Sequence, residues 1–419
     1  MVIKGLRLEN MGSLKKNIAY KGLLTISNYL LAFITFPYIT RVLGVERFGQ
    51  VNFALNVVEY FLIFATLGIN TIGTREIAAV NGVQKKLNHV FSSIFGMNFV
   101  LTIIVSIIFL ISIQLITKFN ENSCLLYIGL GKIISTCFLV EWFYTGIEKF
   151  KYITIRSLLI KILYVISVFI FVKTRTDYIL YFLLTVGAVV LNAIVNFLFC
   201  RKLVKIDWHD FYNFEFIKPN IILGIQALMT STYMTFNVMW LGLVSTDVQV
   251  GYYTTAFRLY FIAISLFGAY TAVMIPRMSA IVAEGNNELF RVLLRKSFRI
   301  CILFCIPIII VGVIFTPFII YLVAGHGYEG AIIPMRIIMP AVLFVCIAQV
   351  IALQILVPFK KDKALLVASI AGASLALIFN FIFVKNYGAI GSALTLLFSE
   401  FCVTSIYLIY YTKYFNHNI

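Results

Sequence analysis

Apolar stretches of roughly 20 residues recur about twelve times along this 419-residue chain, separated mostly by short polar connectors. A hydrocarbon core about 30 Å thick requires about 20 apolar residues per spanning helix, and lipid offers no water to satisfy exposed backbone groups. The pattern predicts an all-α integral membrane protein with about twelve transmembrane helices. The predicted spans are 22–40, 48–72, 90–117, 124–145, 157–172 and 178–200, then 219–243, 251–275, 300–323, 331–359, 364–384 and 389–411. Charged residues make up 12% of the chain, about half of what a soluble domain carries.

The cations orient the chain. Of 34 Lys and Arg, 24 fall in alternate connectors, six in the intervening ones and four inside apolar spans. Basic connectors stay on the cytoplasmic side, so both termini are predicted to be cytoplasmic. A net charge of +17 would otherwise raise nucleic acid as a partner, but the charges are spread thinly over loops and form no basic domain. The seven cysteines sit in or at the ends of apolar segments, which argues against a disulfide framework. His89, His209, His326 and His417 are too far apart to suggest a metal site. No Gly-rich phosphate loop or nucleotide-sized lobe is present, so no cofactor is expected and an enzyme is the weaker reading. The first apolar run lacks a short apolar region followed by a small-residue cleavage site, and the first helix is expected to remain in the mature protein.

The polar stretch 201–218, with Asp207, Asp210 and Glu215, reads as a cytoplasmic linker between residues 1–200 and 219–419. An ungapped shift of 202 residues pairs Gly49 with Gly251, Ala54 with Ala256 and Arg75 with Arg277, and sets Asn56 opposite Arg258. Six helices per half is an even number, so the halves share one orientation. The expectation is two six-helix bundles related by a pseudo-two-fold along the membrane normal, with a pathway between them.

Polar groups inside a membrane are costly and usually face a bundle interior or an aqueous cavity. Asn52, Asn56 and Glu59 are spaced i, i+4, i+7 on the second span; Gln226, Tyr233 and Asn237 follow one face of the seventh; Thr254 and Arg258 share a face of the eighth. Interhelical hydrogen bonding is the plain alternative for the amides and hydroxyls. Lys132 lies deep in the fourth span and Glu400 is central in the twelfth, whereas Glu141, Lys161 and Arg336 lie near predicted ends, within snorkelling reach. Arg258, Lys132 and Arg336, with Asn52, Asn56, Thr254, Gln226 and Asn237, form the expected substrate-binding set, a cationic lumen suited to an anion. Glu59 and Glu400 are the candidates for ion coupling, since a carboxyl in low dielectric takes up protons more readily. Glu59 is also expected to hold Arg258 when the site is empty.

Two stretches carry a family likeness. RVLGVERFGQVNFALNVVEYFLIFATLGINTIGTREIA, from Arg41 to Ala78, resembles the first-to-second helix signature of polysaccharide-biosynthesis flippases; NYGAIGSALTLLFSE, from Asn386 to Glu400, resembles the segment opening that family's last core helix. The branch is the oligosaccharide-repeat-unit (Wzx-type) group of the multidrug/oligosaccharidyl-lipid/polysaccharide (MOP) exporter superfamily. The resemblance implies a bacterial cytoplasmic-membrane protein that moves undecaprenyl-pyrophosphate-linked oligosaccharide between leaflets for O-antigen, capsule or exopolysaccharide assembly. It also implies alternating access driven by a proton or sodium gradient, and polymerase and chain-length machinery as further partners. A drug or cation antiporter of the same superfamily shares the topology but would favour acidic lumen groups without a compensating arginine. A membrane-embedded glycan polymerase would be expected to carry a sizeable extracytoplasmic loop, which this chain lacks. The connector GTREIAAVNGVQKKLNH lacks the Gly-x-x-x-Asp-Arg pattern of major-facilitator carriers.

Overall fold

The computed structural model describes the backbone of residues 2–211, 213, 215–231 and 235–418, and their side chains except at 2–19, 21, 25, 26, 28–33, 222, 226, 227, 230, 362 and 414–418. Helices run in order α1 Val2–Thr66, α2 Ile69–Val80, α3 Gln84–Leu115, α4 Thr117–Glu121, α5 Ser123–Thr136, α6 Glu141–Gly146, α7 Phe150–Phe171, α8 Tyr178–Cys200 and α9 Trp208–Phe211. They continue with α10 Ile217–Ser231, α11 Asn237–Val244, α12 Asp247–Ala283, α13 Asn287–Ile314, α14 Thr316–Ala324, α15 Ile332–Ile338, α16 Ala341–Ile351, α17 Asp362–Phe379 and α18 Lys385–Asn418. No strand occurs among the described residues. That is the all-α membrane architecture expected where every backbone group must be satisfied within its own segment.

Among the described residues, nine helical stretches are long and apolar enough to cross a membrane. Two of them, Ile34–Val80 with 47 residues and Lys363–Lys413 with 51, would each exceed about 70 Å if straight, more than twice the hydrocarbon thickness. Both are interrupted. Gly44 leaves the helix at φ 71, ψ 168 and Gly388 at φ 54, ψ −126, conformations open to a residue without a Cβ. The first stretch overlaps the predicted spans 22–40 and 48–72 and the second the predicted spans 364–384 and 389–411, while the middle of the predicted 219–243 span lies outside the described residues.

The chain packs as two compact units, Met1–Leu43 with Val57–Leu228 and Gly44–Asn56 with Met229–Ile419. Packing therefore groups two segments differently from the division by repeat: residues 44–56 fall in the second unit and 219–228 in the first. The first of these is anchored by burial. Val51, Phe53 and Ala54 are fully buried, Phe48 meets Tyr328 edge-on at 6.3 Å, and the Phe53 ring occupies the space where Gly242 would carry a Cβ.

Within the second unit, α1 and α12 cross at two glycines. A Cβ on Gly49 would overlap the Asp247 carbonyl, and one on Gly251 would overlap the Val45 carbonyl. The 202-residue shift pairs Gly49 with Gly251 and Val45 with Asp247, so the two contacts are reciprocal. Each repeat presents the same glycine to the same carbonyl of the other, the signature of a local two-fold.

The first unit is built on an aromatic core. Phe91 stacks on Trp142 at 5.4 Å and on Phe95 at 5.7 Å, while Phe95 stacks on Phe197 at 5.4 Å. The predicted 124–145 span is discontinuous there: α5 ends at Thr136 and α6 begins after Val140, which sits in the left-handed region at φ 37. Asn196 of α8 bridges the gap, its amide donating to the Leu139 carbonyl and its own carbonyl accepting the Tyr144 hydroxyl at 2.6 Å. Irregular backbone at membrane depth survives only with such partners.

Within the 201–218 segment, residues 201–211 form a docked strap. Gln84, Asn88 and Ser92, spaced i, i+4, i+8 on α3, catch it through Gln84 Nε2 to the Leu203 carbonyl at 2.9 Å, Lys205 N–H to Asn88 Oδ1 at 3.2 Å and Asp207 N–H to Ser92 Oγ at 2.8 Å. His89 adds contacts to Asp210 at 2.8 Å and Glu215 at 3.3 Å. The Phe211 carbonyl lies where Gly96 would carry a Cβ, so α9 rests directly on the α3 backbone.

Candidate functional site

In the second unit the sequence-predicted residues converge on Arg258. Its Nη2 donates to Asn52 Oδ1 at 2.9 Å, and its guanidinium carbon lies 5.2 Å from the centre of the Phe48 ring. Asn52 is buried and donates through Nδ2 to the Phe48 carbonyl at 2.6 Å; Asn56 donates to the Asn52 carbonyl at 2.8 Å. The first amide bond orients Asn52 so that its oxygen faces the cation. Thr254, one turn before Arg258, is spent on its own helix, donating to the Val250 carbonyl at 2.6 Å. A hydrogen bond to a charged group contributes about 1.5–3 kcal/mol, and the ring face adds about 0.5–2 kcal/mol. Neither neutralises the guanidinium. Arg258 is thus set, half-buried on α12, against an amide dipole and a ring face.

The first unit treats its cation differently. The Lys132 ammonium pairs directly with the Glu59 carboxylate; the lysine side chain is 12% exposed and the carboxylate 50%. The carboxylate expected to hold Arg258 is thus taken by Lys132, because α5 carries the lysine to Glu59 across 73 residues of sequence. An ion pair with one half-exposed partner is worth up to about 1 kcal/mol, weak enough to be exchanged for another anion.

The other predicted residues sit apart from these centres. Asn237 is fully buried and donates to the Tyr253 hydroxyl at 2.9 Å and the Ser392 carbonyl at 3.1 Å, joining α11, α12 and α18. Glu400 on α18 is 5% exposed and has no ion-pair or hydrogen-bond partner among the described residues. Arg336 is exposed and its Nε donates to the Val313 carbonyl at 3.2 Å, in the last turn of α13, where helix carbonyls lack internal partners and a cation is favoured. The side chain of Gln226 lies outside the described residues.

Sequence reasoning missed one buried ion. Arg156, placed in a cytoplasmic connector by its neighbours Lys149 and Lys151, is 5% exposed and bonds Glu141 at 2.7 Å and the Ser157 hydroxyl at 3.0 Å. Its spacing of 15 residues from Glu141 offers no helical periodicity to find the pair, since they lie on different helices.

A body that is helical throughout its described residues, with kinked long helices, a discontinuous helix and charged groups set inside its apolar spans, is that of a multi-pass membrane protein. Residues 14–282 match the family described as "Polysaccharide biosynthesis protein", and the chain belongs to that family. It is 27% identical over 408 residues to an Escherichia coli (strain K12) protein described as an O-antigen transporter, covering 96% of this chain and 97% of that one. Its fold is similar to that of the lipid II flippase MurJ in an inward closed conformation, with a TM-score of 0.76, 17% identity and coverage of 94% and 87%. It is also similar to an inward-facing multidrug resistance MATE transporter of the MOP superfamily, with a TM-score of 0.69, 15% identity and coverage of 91% and 92%.

Proposed function

We propose that the protein is a flippase that moves a pyrophosphate-linked, lipid-anchored oligosaccharide across the bacterial cytoplasmic membrane for O-antigen, capsule or exopolysaccharide assembly. The observation that carries this reading beyond family membership is Arg258, a half-buried guanidinium on α12 set against an amide oxygen and an aromatic face. A guanidinium offers a fixed fork of donors that matches phosphate oxygens. The multidrug branch shares the fold, so fold alone does not separate the two; an anion-seeking arginine in a half-buried position favours the glycolipid. Glu59 and Lys132 supply the exchange step. Pyrophosphate displaces the Glu59 carboxylate from Lys132, and the freed carboxylate takes up a proton or sodium ion, linking the gradient to the change of access. The predominance of Lys and Arg in alternate connectors supports cytoplasmic termini and export toward the outer leaflet. The polymerase and chain-length proteins would then receive the delivered repeat unit.

The test is reconstitution into vesicles holding a pyrophosphate-linked oligosaccharide on an isoprenoid carrier in one leaflet. Sugar exposed on the far leaflet, read by an impermeant glycan-modifying reagent, should rise with time well above protein-free vesicles. Transport of cationic dyes with no movement of the glycolipid would transfer the protein to the multidrug reading.

A further inference from the structure

We propose that the strap of residues 201–211 and the start of α3 form a binding site for one anionic glycerophospholipid of the surrounding leaflet, separate from the transport pathway and independent of the solute moved. Two adjoining cavities carry the inference. One, of about 640 Å³, is walled by the rings of Phe95, Phe99, Phe138 and Phe197. The other, of about 880 Å³, is lined by Lys85, Lys86, Asn88 and Lys205. Both are bordered by Lys205, Ile206 and Trp208, so apolar and cationic spaces meet at one edge. Arg201 adds a further cation at the mouth of the aromatic one.

Two carboxylates, Asp207 and Asp210, line the same cavity and are outnumbered by its three lysines. Asp210 is paired with His89 at 2.8 Å, and Asp207 Oδ1 accepts the His209 backbone N–H at 3.0 Å. Lys85, Lys86 and Lys205 are exposed and have no ion-pair partner among the described residues. Trp208 is 68% exposed, an arrangement typical of aromatic residues at the membrane–water boundary. A phosphate head with an acyl chain matches the pairing of spaces: the chain enters among the phenylalanines and the phosphate meets the amines. Basic pockets beside transmembrane helices bind anionic headgroups, and each lysine near the surface contributes roughly a five-fold gain in binding. The site is built rather than accidental, because three side chains of α3 fix the strap backbone that supplies Lys205 and Trp208.

The experiment is native mass spectrometry of the full chain, purified in detergent and titrated with dioleoylphosphatidylglycerol. Dioleoylphosphatidylcholine serves as a control with the same tails, glycerol 3-phosphate as a head without tails, and decaprenyl pyrophosphate as an isoprenoid. One phosphatidylglycerol should be retained, and the Lys85→Gln, Lys86→Gln, Lys205→Gln triple variant should weaken retention by at least about ten-fold. The corresponding triple Lys→Arg variant should hold the lipid as the parent does, which separates charge from any effect on folding. Equal retention of phosphatidylcholine, or unchanged binding in the Gln variant, would overturn the proposal. So would glycerol 3-phosphate binding as tightly as the lipid. Preferential, lysine-dependent retention of decaprenyl pyrophosphate would also overturn it and reassign the site to the transported carrier.

Discussion

The two compact units each hold a cation inside an apolar span, and they hold it in opposite ways. In the first, Lys132 meets a carboxylate; in the second, Arg258 meets an amide oxygen and a ring face. A lysine paired with a carboxylate presents little net charge until that partner leaves, whereas an amide oxygen and a ring face orient a guanidinium without cancelling its charge. Under the proposed function the contrast would divide the work of handling an anion, with recognition assigned to Arg258 and response to the Glu59–Lys132 pair. The difference predicts that the two residues will tolerate substitution differently. Arginine in a fork geometry cannot be replaced by lysine without losing one of its bonds, while an exchangeable ion pair depends mainly on sign.

Removing Arg258 should therefore have the largest effect. Losing a charge-assisted contact of about 1.5–3 kcal/mol slows a step that depends on it by roughly 10- to 100-fold. Arg258→Ala is expected to abolish surface glycan and accumulate lipid-linked repeat units in the inner leaflet, with membrane abundance unchanged. Arg258→Lys should retain part of the activity. If both variants lose activity equally and insert poorly, Arg258 is a structural partner of Asn52 and the comparison collapses.

Gly49→Ala is expected to come next. Its Cβ would be driven into the Asp247 backbone carbonyl, one turn from Asn52, and overpacking of this kind costs about 1–3 kcal/mol. Because Gly251 meets Val45 in the mirrored way, Gly251→Ala should lower the melting temperature of the detergent-solubilised protein by a similar amount. The double variant should lose less than the sum, since one forced separation of the helices relieves both overlaps. Strict additivity would deny that the two contacts form a single crossing.

The ion pair of the first unit predicts a smaller and differently shaped effect. Glu59→Gln leaves Lys132 with its charge unopposed, so binding of an anionic lipid should tighten by a few-fold while turnover falls, and the pH dependence of transport should flatten. Lys132→Met should weaken binding instead. A double-mutant cycle between them is expected to show a coupling of up to about 1 kcal/mol, the value for a pair with an exposed partner. Normal transport by Glu59→Gln across a range of external pH would remove the responsive half of the comparison.

How much of this was legible in the sequence depends on whether the partners shared a helix or a repeat. The apolar stretches announced the membrane fold, and the 202-residue register placed Asn56 opposite Arg258, which lands close to the observed contact with Asn52. Glu59 and Lys132 could be named but not joined, because no periodicity links residues on separate helices. The break before Glu141 was invisible for another reason. Cys137 to Val140 contains neither glycine nor proline, and the irregular backbone is held by Asn196, a tertiary partner. The strap escaped notice because Gln84, Asn88 and Ser92 straddle the polar connector and the start of an apolar span, so their common face reads as ordinary loop polarity.

Arg336 provides the finest discrimination, with the smallest expected change. By charge alone it belongs with Arg258 and Lys132 in a cationic lumen, yet its Nε is directed at the Val313 carbonyl at the end of α13. A cation at a helix C-terminus contributes about 0.3–1 kcal/mol, and the exposed position of this one favours the lower part of that range. Arg336→Gln keeps a donor long enough to reach the carbonyl while removing the charge. Transport by this variant should stay within about two-fold of the parent, with a small drop in melting temperature that high salt diminishes in the parent as well, because screening weakens the interaction between a surface charge and the helix end. A severe loss of transport at unchanged stability would instead place Arg336 beside Arg258 as a second anion-recognising group. The second unit would then hold two anion-recognising arginines against the first unit's ion pair, making the asymmetry between the units sharper than the single arginine implies.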